Sequence, residues 1–198
     1  MQFADVVRSR RMTRSFSSRS VDSHIIDECV NLGARAPSAG KSQGWHLVLL
    51  NGSDTSRYWD ISLPSDKRST FSFPGLLKAP HVAIVLADPH AYLSRYSEDD
   101  KKSTGLGNSL ESWVAPYWTI DASFATMTFL LALEDNGVGS LFFAHSHEDE
   151  IRDEFSIPSH VVILGVIAFG YAENDIRKGR SSARAQRTHE SIVHQSNW

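Results

Sequence analysis

The stretch 121–136 constrains the fold more than any other, because its pattern is helical and apolar on nearly every side. A helix at the surface of a globular protein carries one apolar stripe and one polar face. A helix that is apolar all round is therefore predicted to lie in the centre of the protein. Gly137 follows the stretch and predicts its end, because glycine is common just after a helix C-terminus.

Four apolar runs predict buried strands, and they alternate along the chain with helical patterns. The strands are predicted at 47–50, 81–87, 139–144 and 160–171. Helices are predicted at 2–11, 22–36, 55–61 and 148–155, and the segment 88–109 is expected to be an exposed excursion. This alternation indicates an α/β or α+β class. The 198 residues contain neither repeats nor a second block of composition, so we expect a single domain over 1–198.

The composition excludes several classes of protein. A formal net charge of −3, with 41% hydrophobic and 22% charged residues, indicates a soluble globular protein and argues against a nucleic-acid coat. Cys29 is the single cysteine, so no intrachain disulfide forms, which suits a reducing compartment. Its apolar neighbours predict a core thiol. No apolar run reaches the ~20 residues of a membrane span and no signal peptide is evident, so we expect a cytoplasmic protein with no membrane partner.

A cluster of arginines lies at the end of the first predicted helix. Arg10, Arg11 and Arg14 lie within five residues, in a chain whose net charge is acidic. The planar fork of arginine suits phosphate, so the cluster predicts an anion site, although cations in the last turn of a helix also satisfy its dipole. The anion site is favoured because a second basic cluster lies near the C-terminus, at Arg177, Lys178, Arg180, Arg184 and Arg187.

The chain offers a phosphate site without an evident nucleophile. It contains no P-loop and no Gly-x-Gly-x-x-Gly after a strand. His145-x-His147 lacks a third ligand at a recognisable spacing, so we expect no metal. A phosphate-bearing cofactor that supplies the chemistry itself is therefore favoured. Three aromatic residues, Trp113, Tyr117 and Trp118, are expected either to line a ligand pocket or to pack into the core.

Four stretches carry a resemblance to a known family. The opening signature of the nitroreductase-like flavoproteins is similar to Arg10-Arg11-x-x-Arg14-x-Phe16. Their second signature is similar to Ala36-Pro37-Ser38-Ala39-Gly40-x-x-Gln43-x-Trp45-His46. Their third is similar to Gly137-Val138-Gly139-Ser140, and their C-terminus to a basic tail followed by Ser191-Ile192-Val193-His194. The matches keep the same order and span nearly the whole chain.

The resemblance implies an α+β fold in which a mixed sheet is flanked by helices. It also implies a homodimer, in which the C-terminal segment, 176–198, crosses to the partner. FMN would lie at the dimer interface and would be reduced by NADH or NADPH. A ping-pong transfer would then pass electrons to a small aromatic acceptor such as a nitroaromatic or a quinone.

The resemblance also assigns individual residues to the cofactor. Arg10, with Arg11 nearby, would bind the FMN phosphate, and Arg187 and Arg184 would complete that site. Arg14 would approach N1 and O2 of the flavin, where a cation stabilises the charge of the reduced ring, so it takes the catalytic role. The remaining assigned contacts are Pro37, Ser38 and Ala39 of the other subunit against the ring, and backbone groups of Ala144 and His145. Trp113, Tyr117 and Trp118 would form the slot for the aromatic substrate.

This chain departs from the family pattern at three positions. Met12 stands where serine is usual, Lys41 where asparagine is common, and Gly44 where proline is frequent. Met12 and Lys41 remain assigned to cofactor binding, but a hydroxyl and a carbonyl acceptor are missing. An FMN-dependent NAD(P)H oxidoreductase is the favoured function, and a flavin-binding storage or sensor protein with little turnover is the alternative. A nucleic-acid-binding module using both basic ends is disfavoured by the acidic net charge.

Overall fold

The computed structural model describes residues 1–173 and 183–198, which form an antiparallel sheet with helices on both faces. The strands are β1 (Trp45–Asn51), β2 (His81–Ala87), β3 (Gly139–Phe143) and β4 (Val162–Gly170). Their order is β1-β2-β4-β3, and each neighbouring pair is antiparallel. The α+β class is confirmed, whereas the expected mixed sheet is wrong for these four strands. Parallel pairing occurs as an isolated bridge between Met12 and Ser140.

The helices largely match the predicted segments. They are α1 (Phe3–Ser9), α2 (Ser23–Gly33), α3 (Thr55–Ser62), α4 (Ser65–Arg68), α5 (Pro89–Tyr96), α6 (Tyr117–Asp135) and α7 (Glu148–Phe155). Asp22 caps α2 by accepting a hydrogen bond from the backbone N–H of His24 at 2.8 Å. The expectation of an exposed excursion at 88–109 is wrong in part, because α5 occupies its first part and buries Tyr92.

The alternation of side chains on β2 divides the core into two layers. Val82, Ile84 and Leu86 face the layer that contains the aromatic residues of α3, and Ala83 and Val85 face the layer formed with α2 and α6. All seven residues of β2 are buried, because helices cover both of its faces. The second layer includes Cys29, whose thiol is fully buried as predicted; burial raises its pKa to about 11.

Helix α6 is buried on one face only, which corrects the prediction of a helix enclosed on all sides. Phe129 and Leu133 are fully buried against the sheet and α2. On the opposite side, Tyr117, Phe124 and Met127 are 37%, 49% and 43% exposed. Helix α6 therefore carries apolar side chains on a face that this single chain leaves exposed. No helix among the described residues is long and apolar enough to cross a lipid bilayer.

The C-terminal segment beyond β4 carries no further strand of this sheet in its described part. Residues 183–198 contain one short 3₁₀ turn (His189–Ser191), and Trp198 is fully exposed. Three basic residues of the predicted second cluster, Arg177, Lys178 and Arg180, lie outside the described residues.

Candidate functional site

The segment after α1 places the predicted anion-binding residues along the edge of the sheet. Arg10 follows the last turn of α1, and the chain then runs beside β3, where the N–H of Thr13 donates to the carbonyl of Ser140 at 2.9 Å. Gly139 permits this close approach, because a Cβ there would lie 2.6 Å from Oγ1 of Thr13. The glycine of the third predicted signature thus has a structural reason: it lets the first signature lie against β3.

Two arginines of this segment, Arg11 and Arg14, are held by backbone carbonyls and not by acids. Arg11 donates to the carbonyls of Arg8 and Arg10, and Arg14 Nη1 donates to the carbonyl of Met12 at 2.9 Å. The guanidinium carbon of Arg14 lies 5.5 Å from the centre of the Phe73 ring. Within residues 1–173 and 183–198, Arg10, Arg11 and Arg14 form no ion pair with a carboxylate. Their positive charges are therefore available to an anion.

A cavity of about 380 Å³ lies beside Met12. This size falls within the usual range of small-molecule sites. Its walls come from the 119–130 part of α6 and from the ends of β3 and β4. The lining residues are Met12, Thr119, Ser123, Thr126, Met127, Leu130, Phe142 and Leu164. We call it the Met12 cavity; its surface is mainly apolar, with three hydroxyl groups on the helical wall.

The predicted cofactor loop, residues 36–44, joins α2 to β1 in an unusual backbone conformation. Gly40, Lys41 and Gln43 all have positive φ angles, of 59°, 61° and 55°. Lys41 and Gln43 are not glycine, and such residues cost roughly 1–3 kcal/mol each in this region. The loop persists because side chains from elsewhere hold its backbone: Arg95 Nε donates to the carbonyl of Gly40 at 2.7 Å.

Asp121 supplies the second external contact to this loop. Its Oδ2 accepts from the backbone N–H of Ala39 at 2.7 Å and from the hydroxyl of Tyr92 at 2.8 Å. Asp121 is buried within α6, and burial together with this hydrogen bond raises the pKa of the Tyr92 hydroxyl. Asp121 was not predicted from the sequence as part of the site, because the partners of its carboxylate are distant in the chain.

Among the described residues, the two halves of the predicted cofactor site line two different cavities. Met12 lines the Met12 cavity, whereas Pro37 and Ser38 line a separate, smaller cavity of about 60 Å³ beside Asp121. A site shared between two subunits, as the resemblance implies, would need this separation. In this chain Lys41 is exposed at the surface.

The other predicted cofactor residues lie at or beyond the end of β3 and in the tail. Ala144 directly follows β3, and His145 comes next, with its Nε2 3.0 Å from Oε2 of Glu148. Hydrogen bonds from His145 and then Arg152 lower the pKa of Glu148. Arg184 is exposed, as is Arg187, which donates to Ser191 within the tail. The predicted site residues that remain to be described are the three assigned to the substrate.

Trp113, Tyr117 and Trp118 form an aromatic cluster at the start of α6. Trp113 packs edge to face on Tyr96 and Tyr92, with ring centres 4.7 and 5.7 Å apart, and its Nε1 donates to the carbonyl of Leu106. Trp118 packs on Tyr92 at 6.3 Å. Packing against α5 is the arrangement that the core alternative predicts for Trp113. Tyr117 keeps an exposed edge and stays a candidate for substrate contact.

Comparisons with known proteins agree with this arrangement. A family model described as the nitroreductase family matches residues 7–171. A protein of Archaeoglobus fulgidus, provisionally named an NADH dehydrogenase/NAD(P)H nitroreductase, is 27% identical over 175 residues, covering 86% of this chain and 85% of its own length.

Solved structures extend the similarity to the whole fold. A nitroreductase family protein from Streptococcus pneumoniae TIGR4 superposes with a TM-score of 0.77 at 17% identity, covering 98% of this chain and 100% of its own. An FMN-dependent nitroreductase from Clostridium difficile R20291 gives 0.65 at 19% identity, covering 98% of each chain. Because the family model covers most of the sequence, including the segment beside β3 and the loop before β1, the chain belongs to the nitroreductase family.

Proposed function

We propose that this protein is an FMN-dependent oxidoreductase, which passes electrons from NADH or NADPH to a small aromatic acceptor by a ping-pong route. Membership of the nitroreductase family supports an oxidoreductase. The name of the Clostridium difficile structure supports FMN, and that of the Archaeoglobus relative supports NAD(P)H.

The observation that carries the proposal is that three arginines without a carboxylate partner among the described residues flank Met12, which lines an apolar cavity. Arg10, Arg11 and Arg14 offer charge to a phosphate, and the Met12 cavity offers apolar walls to a flat ring. The residues present therefore fit FMN. Bound FMN would supply the hydride chemistry, accepting two electrons from the nicotinamide and passing them on to the acceptor.

The residues of this chain would bind and orient that cofactor. Arg10 and Arg11 would bind the phosphate, completed by Arg184 and Arg187. Arg14, held in place by the carbonyl of Met12, would present a positive charge to the pyrimidine end of the ring. The loop from the partner subunit would exclude water from the other side of the ring, with Lys41 as an additional cation.

A homodimer is part of the proposal, because a shared site needs two copies. The exposed apolar residues Phe124 and Met127 of α6 support it, as do Phe3 and Val7 on the neighbouring α1. Buried apolar surface is the main driving force for such association. The exposed tail is proposed to cross to the partner. Deleting residues 176–198 is then expected to reduce both dimerisation and flavin content; a truncated protein that stays dimeric and yellow would contradict the exchange.

A storage or sensor function is the second candidate, favoured by one specific observation. Met12 lines the cavity at a position where a hydroxyl contact to the cofactor is usual, so one polar contact is absent. Recording the visible spectrum of the purified protein separates the two candidates. An oxidoreductase is yellow and is bleached by NADH or NADPH, whereas a storage protein stays yellow on their addition.

The phosphate assignment is tested by Arg10→Ala. Loss of a charge-assisted hydrogen bond costs about 1.5–3 kcal/mol, which corresponds to a roughly 10- to 150-fold weaker affinity for FMN. Arg8→Ala is the matched control, because Arg8 is exposed and pairs with Asp5 within α1. Unchanged FMN affinity in Arg10→Ala, measured by fluorescence titration of the apoprotein, would show that the phosphate binds elsewhere.

A further inference from the structure

Two loops that meet at one end of the sheet bring together two histidines and an aspartate. Asp88 follows β2, His90 lies in the first turn of α5, and His160 precedes β4. The register of β2 and β4, in which Ala87 is opposite Val162, places these segments side by side. One ligand atom from each of the three side chains lies within 4.8 Å of the other two. Among the described residues this is the group of three with that property.

We propose that Asp88, His90 and His160 bind a divalent transition-metal ion, through one carboxylate oxygen and two imidazole nitrogens. Imidazole and carboxylate together suit Zn²⁺ and its first-row neighbours, and sites with three protein ligands leave positions for water. The site does not depend on the proposed function, because none of its residues lines the Met12 cavity.

One of the separations between ligand atoms is close to that found around a bound ion. Nε2 of His160 lies 3.7 Å from Oδ1 of Asp88. With bonds of about 2.0–2.1 Å, two ligand atoms of a tetrahedral Zn²⁺ are roughly 3.3 Å apart. The His90 and His160 rings are stacked, with centres 4.0 Å apart and planes 5° from parallel. Parallel rings do not aim both lone pairs at one point, so binding turns one ring about its side-chain torsions, which exposure to solvent permits.

The backbone of the site is already fixed. Asp88 Oδ1 accepts from the N–H of His90 at 2.8 Å, and the N–H of Asp88 donates to the carbonyl of Gly44 at 2.8 Å. Val161 N–H donates to the carbonyl of Pro158, which closes the turn that carries His160. Only side-chain rotations therefore separate the present geometry from a chelating one. A bound ion would link the start of α5 to the start of β4, next to the Gly44 end of the cofactor loop.

The competing histidine pair on this chain is less suited to an ion. His145 already contacts Glu148, which Arg152 neutralises from the other side. His147 lies 3.8 Å from Glu150, and no third ligand joins this pair among the described residues. This pair supplies the alternative outcome for the experiment.

The test is calorimetric titration of the untagged, chelator-treated protein with Zn²⁺, above the pH at which free imidazole is protonated. The expected result is one Zn²⁺ per chain, with a higher melting temperature in its presence. His90→Ala and His160→Ala are each expected to weaken binding by at least about tenfold, because losing even a hydrogen-bond partner of a metal ligand has an effect of that size. Asp88→Asn is expected to weaken it as well, while keeping an oxygen that caps α5.

Two exposed histidines provide the controls. His24→Ala and His147→Ala are expected to bind Zn²⁺ like the parent protein. Electron paramagnetic resonance of the Cu²⁺-loaded protein is expected to show coupling to two nitrogens, reduced to one in either single variant; His90→Gln and His160→Gln replace any alanine variant that does not fold. The proposal is overturned by no Zn²⁺ binding to the parent protein, by unchanged binding in the His90 and His160 variants, or by loss of binding in His147→Ala alone.

Discussion

Oδ2 of Asp121 lies 2.7 Å from the backbone nitrogen of Ala39, and this hydrogen bond joins the central helix to the loop before β1. The loop contains two non-glycine residues with positive φ angles, so it does not hold its shape by local preference alone. The same carboxylate oxygen accepts from Tyr92, which places α5 in the same network. Asp121 therefore sets the conformation of a loop that the proposed function assigns to the cofactor.

Replacing Asp121 with alanine is expected to destabilise the protein. It leaves the Ala39 N–H and the Tyr92 hydroxyl without an acceptor, and each unsatisfied donor costs about 1–3 kcal/mol, so the total loss is about 2–6 kcal/mol. Asp121→Asn is expected to lose less, because one amide oxygen can still accept from both donors. Urea unfolding measures the difference; Asp27→Ala, at an exposed position on α2, is the control. Equal stabilities for Asp121→Ala and Asp27→Ala would show that the network does not hold the loop.

Because His81 is buried, we predict that the stability of the protein decreases at acidic pH. Its Nδ1 lies 2.7 Å from Oδ1 of Asn51, and its Nε2 accepts from the N–H of Val21 at 3.0 Å, so the ring is neutral with its proton on Nδ1. Burial lowers the pKa of His81 below its ordinary value of 6.5. As pH falls below 6.5, the His81 ring binds a proton in the unfolded chain more readily than in the folded chain. The free energy of unfolding therefore decreases as pH falls.

This pH dependence is measured by urea unfolding between about pH 5 and 8, the range in which histidine ordinarily titrates. His81→Gln removes the titrating ring, so its stability is expected to depend less on pH than that of the parent protein. His24→Gln, at an exposed position, is expected to keep the slope of the parent. A parent and a His81→Gln variant with the same slope would assign the acid sensitivity to other groups.

Local sequence patterns predicted those helices and strands whose conformation is determined by residues close to them in the chain. The strand at 81–87 and the helix at 148–155 have the predicted bounds, since a short continuous apolar run and a clear amphipathic period leave little choice. Helix α6 starts at Tyr117 and not at 121. An aspartate is typical of a helix N-cap, but Asp121 lies inside the helix because its partners come from α5 and the loop.

The sequence was less informative where long-range pairing decides the structure. The antiparallel order of the sheet depends on how the connections cross. A continuous apolar run such as that of β2 reflects burial on both faces and is more typical of a parallel sheet, so it did not reveal the direction of the strands. The group of Asp88, His90 and His160 was missed for the same reason, because its members are brought together by strand register and not by spacing. The arginine segment is visible in the sequence, since its residues are adjacent in the chain, and its role as an anion site stays a prediction.

Arg14 is expected to tune the reduction potential of the proposed cofactor rather than to anchor it. The reduced flavin gains a negative charge, so a nearby cation binds the reduced state preferentially and raises the midpoint potential. Arg14→Gln removes the charge while its amide can still donate to the carbonyl of Met12. Redox titration is expected to give a lower potential for Arg14→Gln and a nearly unchanged one for Arg14→Lys. Equal potentials in all three proteins would assign this effect to Lys41 or to backbone amides.

The aromatic cluster separates into a packing residue and a candidate substrate residue. Trp113 contacts Tyr92 and Tyr96 and donates to a backbone carbonyl, so Trp113→Ala is expected to cost about 3 kcal/mol, the low end for such truncations in cores. Tyr117 is 37% exposed, and Tyr117→Ala is expected to cost less than about 1 kcal/mol.

For substrate selectivity we expect the opposite order, with a larger effect for Tyr117→Ala than for Trp113→Ala. A planar acceptor that stacks on an exposed ring gains about 0.5–1.5 kcal/mol from that pair, so Tyr117→Ala is expected to change the ratio of kcat/KM for a quinone to that for a nitroaromatic by roughly two- to tenfold. Trp118→Ala, whose ring packs on Tyr92, tests the intermediate position. Melting temperature and the two kcat/KM values are measured for each variant. If Tyr117→Ala and Trp118→Ala lower the melting temperature sharply and leave the ratio unchanged, the whole cluster is core and the acceptor binds at another part of the surface.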